Sequence, residues 1–534
     1  MTELEDVATF NLVDEPWIPV VWLQPRPSNV MSLRTLFQEA ENIGSLAGDT
    51  PIVTGSLYRF LLAVTHSALR GPASEEDWAT LWEEGHLAEV VVPYLERHKA
   101  RFDLFHPQRP FFQGEPDLEK VRYVSPIDMV PHLAYGATLF DHHVKAQQFP
   151  LTPEEGARWL LSLIYFGLGG VVPGKRGKDT VSAKDAPCAR AILFLVEGPN
   201  LSQTLMLNLL PYPEGDNGVS GIESAPNDAP FWEQEDPFAE RLPLGYLDYL
   251  TWPSRRVRLR PGYVEGKLVV ESFAISPGLP LPQSDAGNAP RYLEPMHHYR
   301  RDKKKGWLAL KFREDRALWR DSAAILEVHK QEQEKERAPR NLFWLHDLIE
   351  MDILSQEAVF RLMAIGAATK PGQKLTYFYR HETLPLPLDY LQNSELVERL
   401  QVALQEAEDV RGVLRKATWW LAHDYLSPGG GGEQQREPQS EDIQSLMDQW
   451  AVERDYWVGL TLPFYDMMVR LPDEGSEVLC EWGEHVRRVA REAFDRVADG
   501  LGDMPRALKA EIKARGRLEA GLKKIVGAGS EEQE

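Results

Sequence analysis

Cysteine is nearly missing from this 534-residue chain: Cys188 and Cys480 stand alone and far apart. That excludes a disulfide framework and a cysteine-rich zinc site. Basic residues are also outnumbered, with 59 Lys and Arg against 81 Asp and Glu for a formal charge of −22. A free-standing nucleic-acid binder usually carries a basic surface that displaces phosphate counterions, so the average charge argues against that class. Long apolar runs are lacking too. The longest, Trp159 to Val172, spans fourteen residues, contains one Ser and three Gly, and stops at Pro173, short of the roughly twenty residues a membrane helix needs. The opening MTELEDVATF has neither the basic nor the apolar stretch of a secretory signal, so a cytoplasmic protein with no membrane partner is expected.

What is present is ample core material: 43% hydrophobic residues, with 15 Trp, 17 Tyr and 20 Phe. No βαβ rhythm repeats along the first 380 or so residues, which mix short strands, helices and Pro-rich loops. Phe10 to Val20, punctuated by Pro16 and Pro19, reads as an edge strand or extended entry segment. Gly55 to Leu69 has helical spacing through Leu57, Phe60, Leu61, Val64 and Ala68. Thr152-Pro153-Glu154-Glu155 is a capping-box pattern with Pro at the first helical position, starting a helix that ends near Gly167. Gly167 to Pro187, rich in Gly and Lys, reads as a long exposed loop. Around Lys370-Pro371-Gly372-Gln373-Lys374, two β-prone flanks make a hairpin. From Ser394 onward, apolar residues recur at helical spacing in four segments, the second kinked at Pro463, with a Gly-rich linker at 427–440. The expected fold is therefore α+β: a large irregular mixed α/β domain over 1–390, then a four-helix bundle over 391–534.

Three patterns invite an enzymatic reading. Gly169 to Lys175 satisfies half of a nucleotide-binding GxxxxGK loop, but Arg176 stands where Ser or Thr holds magnesium, and the segment before it is helical rather than a strand. Asp141-His142-His143 resembles a fragment of a metal phosphoesterase with too few ligands, and His297-His298 lacks carboxylate partners. No catalytic residue, metal or cofactor is expected. Three basic clusters interrupt the acidic chain: Lys175, Arg176 and Lys178; Arg255, Arg256, Arg258 and Arg260; and Arg300, Arg301, Lys303, Lys304, Lys305, Lys311 and Arg313. Such a distribution suits a subunit that touches nucleic acid at a few points inside a larger assembly.

The string Phe10-Asn11-Leu12-Val13-Asp14-Glu15-Pro16-Trp17-Ile18-Pro19-Val20 resembles the opening of the CasA family, the large subunit of the type I-E CRISPR Cascade complex. Further matches follow in order: Tyr58-Arg59-Phe60-Leu61-Leu62-Ala63, Arg101-Phe102-Asp103-Leu104-Phe105, Pro110-Phe111-Phe112-Gln113, Ala137 to His142, Leu207 to Pro211, Leu250 to Arg256, and Glu294-Pro295-Met296. The resemblance implies a non-catalytic subunit of a crRNA-guided complex. Such a subunit recognises the protospacer-adjacent motif of double-stranded DNA, wedges the duplex open to start an R-loop, and recruits a helicase-nuclease in trans. Its other implied partners are the crRNA 5′ handle and the backbone and small subunits of the complex.

By that resemblance, the motif-binding loop covers Gly167, Gly169, Gly170, Gly174, Lys175, Arg176, Gly177 and Lys178, where Gly permits close backbone approach. The wedge hairpin holds Lys370, Gly372, Gln373 and Lys374, with Gln373 at its tip. Asp141, His142, His143 and Lys145 fall in a loop near the crRNA end and the DNA. The family's lysine finger has no Lys at the matching place, so Arg291, Lys303, Lys304 and Lys305 are the basic candidates. A metal phosphoesterase around Asp141 and a pure scaffold subunit are the alternatives.

Overall fold

The computed structural model describes residues 8–85, 87–131, 149–176, 181–211, 225–281, 293–328, 336–369, 376–427 and 437–525. Two compact units emerge. The first comprises 1–314, 330–354 and 360–383; the second comprises 315–329, 355–359 and 384–534.

The first unit is built around helix α1 (Pro51–Leu69), which starts four residues earlier than its spacing indicates, with Pro51 in the first turn. Every residue from Ile52 to Ser67 is buried. By length and composition this helix could cross a membrane, yet here it is the core helix of a folded unit and has no polar face. Helix α2 (Leu87–His98) and helix α3 (Pro153–Phe166) pack on it. The capping box forms as expected: Thr152 Oγ1 accepts from the Glu155 N–H at 3.3 Å, and Glu155 Oε2 accepts from the Thr152 N–H at 2.8 Å.

Among the described residues the strands form five small sheets. Strand β1 (Ile18–Trp22) lies between β2 (Val30–Met31) and β3 (Ile43–Leu46), so the segment read as an edge is central. Pro19 is tolerated because the bond it makes runs through its carbonyl, which accepts from the Ala47 N–H at 3.0 Å beside β3, while Trp17 and Val20 donate to Met31 O and Asn29 O beside β2. Strands β4 (Gly170–Val171) and β5 (Ser182–Ala183) form a pair. Strand β6 (Leu193–Glu197) neighbours β12 (Val359–Thr369), which neighbours β13 (Thr376–Pro387). Strands β7 (Arg255–Val264) and β8 (Lys267–Pro277) make a long antiparallel hairpin. Its turn is Glu265-Gly266, both at positive φ. Strand β9 (Tyr299–Asp302) lies between β10 (Gly306–Ala309) and β11 (Glu336–Arg337).

The second unit is helical. Its long members are α5 (Ser394–Leu426), α6 (Ser440–Trp450), α7 (Val452–Glu474), α8 (Ser476–Asp499) and α9 (Pro505–Leu522), following α4 (Arg340–Glu350) of the first unit. The expected second helix is therefore two. The break falls at Ala451, at φ +50°, while Pro463 sits inside α7. Proline removes the hydrogen bond to the carbonyl four residues back; that residue, Gly459, is exposed, so water can take the bond instead. The early stretch contributes Trp319, which is fully buried and stacks on Phe464 at 4.5 Å.

Candidate nucleic-acid interface

The stretch after α3 is more ordered than an exposed loop. Gly167 ends the helix, and its carbonyl accepts from Arg255 Nη2 at 2.9 Å and from the Ala186 N–H at 2.9 Å. Arg255 is itself buried, and burial pushes its pKa down to about 10. The Gly169 N–H donates to Asp185 Oδ1 at 2.5 Å, and the other Asp185 oxygen accepts from Arg190 Nε at 2.7 Å. Gly170 and Val171 then pair with Ala183 and Ser182. A helix thus precedes Gly169 to Lys175 and a short strand lies within it, the reverse of a phosphate-binding nucleotide loop.

Glycine is required here for space. A Cβ on Gly167 would lie 2.4 Å from the Leu163 carbonyl oxygen, one on Gly169 2.9 Å from the Asp185 nitrogen, and one on Gly174 2.5 Å from the Arg122 carbonyl oxygen. Gly174 also has φ +72°, a conformation that L side chains resist. Beyond it, Lys175 bridges Val121, and Arg176 is held by its backbone to Lys120 O at 2.7 Å and by Nε to Val121 O at 2.9 Å. Gly177 and Lys178 lie outside the described residues.

A cavity of about 260 Å³ opens behind this loop. Its walls include Gly167 to Pro173 on one side and Ala367 and Tyr379, from β12 and β13, on another. The structure thus places the glycine loop and the strands flanking 370–375 around one mostly apolar space. Lys370, Gly372, Gln373 and Lys374, expected to form a wedge, lie outside the described residues, as do Asp141, His142, His143, Lys145 and Arg291.

Lys303, Lys304 and Lys305 are exposed and form the turn between Asp302 and Gly306, which pair across β9 and β10. Asp302 Oδ1 accepts from the Lys304 and Lys305 N–H groups, both at 2.8 Å, so one carboxylate shapes a tip of three cations. The cluster at Arg255 to Arg260 is largely structural. Arg255 serves the loop, Arg256 lies over the Phe238 ring at 4.3 Å, and Arg258 donates to Pro107 O at 2.8 Å. Sequence reading registered these arginines as charge and missed the hairpin they belong to.

His297 and His298 are buried. His297 is pushed down to about 4 by burial, which keeps it neutral. Beside it, Arg59 and Glu294 form an ion pair of 2.6 Å with side chains 0% and 1% exposed. This pair joins the Tyr-Arg-Phe and Glu-Pro-Met strings, and adjacency in sequence gave no sign of it. Among the described residues one trio, His346, Asp347 and Glu350, brings possible ligand atoms within 4.8 Å. His346 and Glu350 are an i,i+4 pair on α4 at 3.5 Å, a surface contact that needs no metal.

Comparison with known proteins agrees over nearly the whole chain. The family model for CRISPR-associated protein Cse1 matches residues 11–493. The CRISPR-associated protein CasA/Cse1 of Thermus thermophilus is 32% identical over 525 residues, covering 96% of each chain. A crystal structure of Thermus thermophilus CasA superposes with a TM-score of 0.76 at 29% identity, covering 97% of this chain and 100% of that one. A chain of a solved CRISPR RNA-guided surveillance complex shares the fold at a TM-score of 0.70 and 21% identity, covering 96% of this chain and 99% of that one. With its mixed first unit and its helical second unit, the chain belongs to the Cse1 (CasA) family of CRISPR-associated proteins.

Proposed function

We propose that this protein is the large subunit of a crRNA-guided type I-E surveillance complex, where it reads the protospacer-adjacent motif and begins to open the duplex. The observation that carries the reading is the glycine loop: in a Cse1-family chain, half-exposed Gly167, Gly169, Gly170 and Gly174 run without side chains up to exposed Lys175 and Arg176. Bare backbone can approach a groove floor where a side chain would clash. Base pairing with the guide reads the remaining sequence.

In this reading the first unit meets the DNA, and the helical unit docks against other subunits. Lys370, Gly372, Gln373 and Lys374 form the wedge, with the Gln373 amide contacting the bases it separates. The segment around Asp141 to Lys145 lies near the crRNA end. The turn of Lys303 to Lys305 is the basic finger, with Arg291 the alternative. The helicase-nuclease is a partner recruited in trans, and the reading assigns the chain no catalysis of its own.

The test is to co-express the chain with backbone subunits and crRNA, then compare variants on duplex and bubble targets. Gln373→Ala slows opening but keeps motif-duplex binding, and a pre-opened bubble rescues it. Bulky residues at Gly169 and Gly170 block duplex binding, and a bubble rescues them much less. If both variants lose duplex binding equally, the division between loop and wedge is wrong.

A further inference from the structure

The segment 120–124 runs beside the glycine loop. Val121 bridges Lys175 in antiparallel fashion, the Arg122 N–H donates to Gly174 O at 2.9 Å, and the Arg176 N–H donates to Lys120 O at 2.7 Å. This register sets Arg122 opposite Gly174 and Lys120 opposite Arg176. Alternation then puts Lys120, Arg122 and Arg176 on one face, away from Val121 and Lys175. Lys120 is occupied by Asp117 at 2.9 Å. Arg122 and Arg176 are both exposed and, among the described residues, neither has an acidic partner.

The setting gives that pairing its weight. In a chain with 81 acidic against 59 basic residues, two arginines held on one face without a carboxylate form a local positive field against the average. Arg176 is also pre-oriented: its Nε is fixed to Val121 O at 2.9 Å, so that bond does not occupy its two Nη groups. Gly174, opposite Arg122 with φ +72°, adds no side chain of its own between them. A planar guanidinium fork fits a phosphate bidentately.

We propose that Arg122 and Arg176 form a two-arginine clamp for the phosphodiester backbone of duplex DNA, flanking the groove contact made by the glycine loop. The clamp rests on the assignment of that loop to DNA. It carries no sequence information: it holds register while the loop reads.

The experiment measures duplex affinity of the crRNA-loaded complex between about 50 and 200 mM salt, on motif-bearing and motif-scrambled DNA. Each lost phosphate contact lowers the slope of log K against log salt by about 0.9. The Arg122→Gln/Arg176→Gln variant therefore loses about 1.8 from the slope. Its affinity falls roughly 12-fold less than that of the native protein over this fourfold salt range. The ratio between motif and scrambled DNA stays unchanged. Arg122→Lys/Arg176→Lys keeps the native slope, which separates charge from folding. A native slope in the Gln variant overturns the clamp. A lowered slope together with unchanged motif preference in Gly169 and Gly170 variants upholds the clamp and overturns the reading role of the loop.

Discussion

The Arg59–Glu294 pair allows a sharp test of what holds the first unit together. Two unit charges 2.6 Å apart attract by about 6 kcal/mol at an effective dielectric near 20. Their desolvation cancels much of that, so the intact pair contributes little net stability. Removing one partner is different, because it strands a charge inside the core among Tyr165, Tyr249 and Cys188. Arg59→Met or Glu294→Leu alone should each cost about 3–5 kcal/mol, a large share of the roughly 5–15 kcal/mol that holds a domain together. The double variant, with no charge to strand, should cost clearly less than the sum, with a coupling of at least about 2 kcal/mol. Hydrogen exchange of amides in α1, read by mass spectrometry on the full chain, reports the opening free energy of this core. Additive effects, or single losses below about 1 kcal/mol, would refute the buried-charge reasoning.

Three further outcomes follow from the structure. His66 and His297 are each pushed down by burial from 6.5 to about 4. Their stabilisation is therefore complete above pH 6.5 and is lost as pH falls toward 4, up to about 3 kcal/mol each. Asp228, raised by burial to about 6, works in the opposite direction between pH 6 and 4. Replacing His297 with Gln should flatten the acid limb of a thermal-midpoint profile, and an unchanged limb would contradict its burial as neutral. Ala451→Gly should stabilise the helical unit by about 0.5–1 kcal/mol, because glycine accepts φ +50° without strain; a lower urea midpoint would count against this. Trp319→Ala should cost about 3–5 kcal/mol by emptying the space against Phe464 and Trp457, seen as faster exchange in α7.

Local signals were legible where chemistry is local. The Thr152 capping box, the strands flanking 370–375 and the long periodic helices stand where their residues indicate. Three other features were not, for physical reasons. Helix α1 looks amphipathic on its strongest positions but is buried on all sides, because its small polar residues bond to their own turn: Ser56, Thr65 and Ser67 donate to the carbonyls four residues back. The β7–β8 hairpin was hidden under its charge, although Val257 and Leu259 alternate with the arginines and Glu265-Gly266 supplies turn chemistry. Arg122 was overlooked because it neighbours Gly174 only after folding, and nothing in the spacing of residues so far apart announces the pairing.

The split origin of the helical unit has a consequence in time. Trp319 leaves the ribosome roughly 140 residues ahead of Trp457 and Phe464, an interval of about 7–28 s at ordinary elongation rates. For that interval a large indole made for a core has no core to enter. The order of synthesis therefore leaves the newborn chain with an unpartnered apolar anchor until α7 and α8 have emerged.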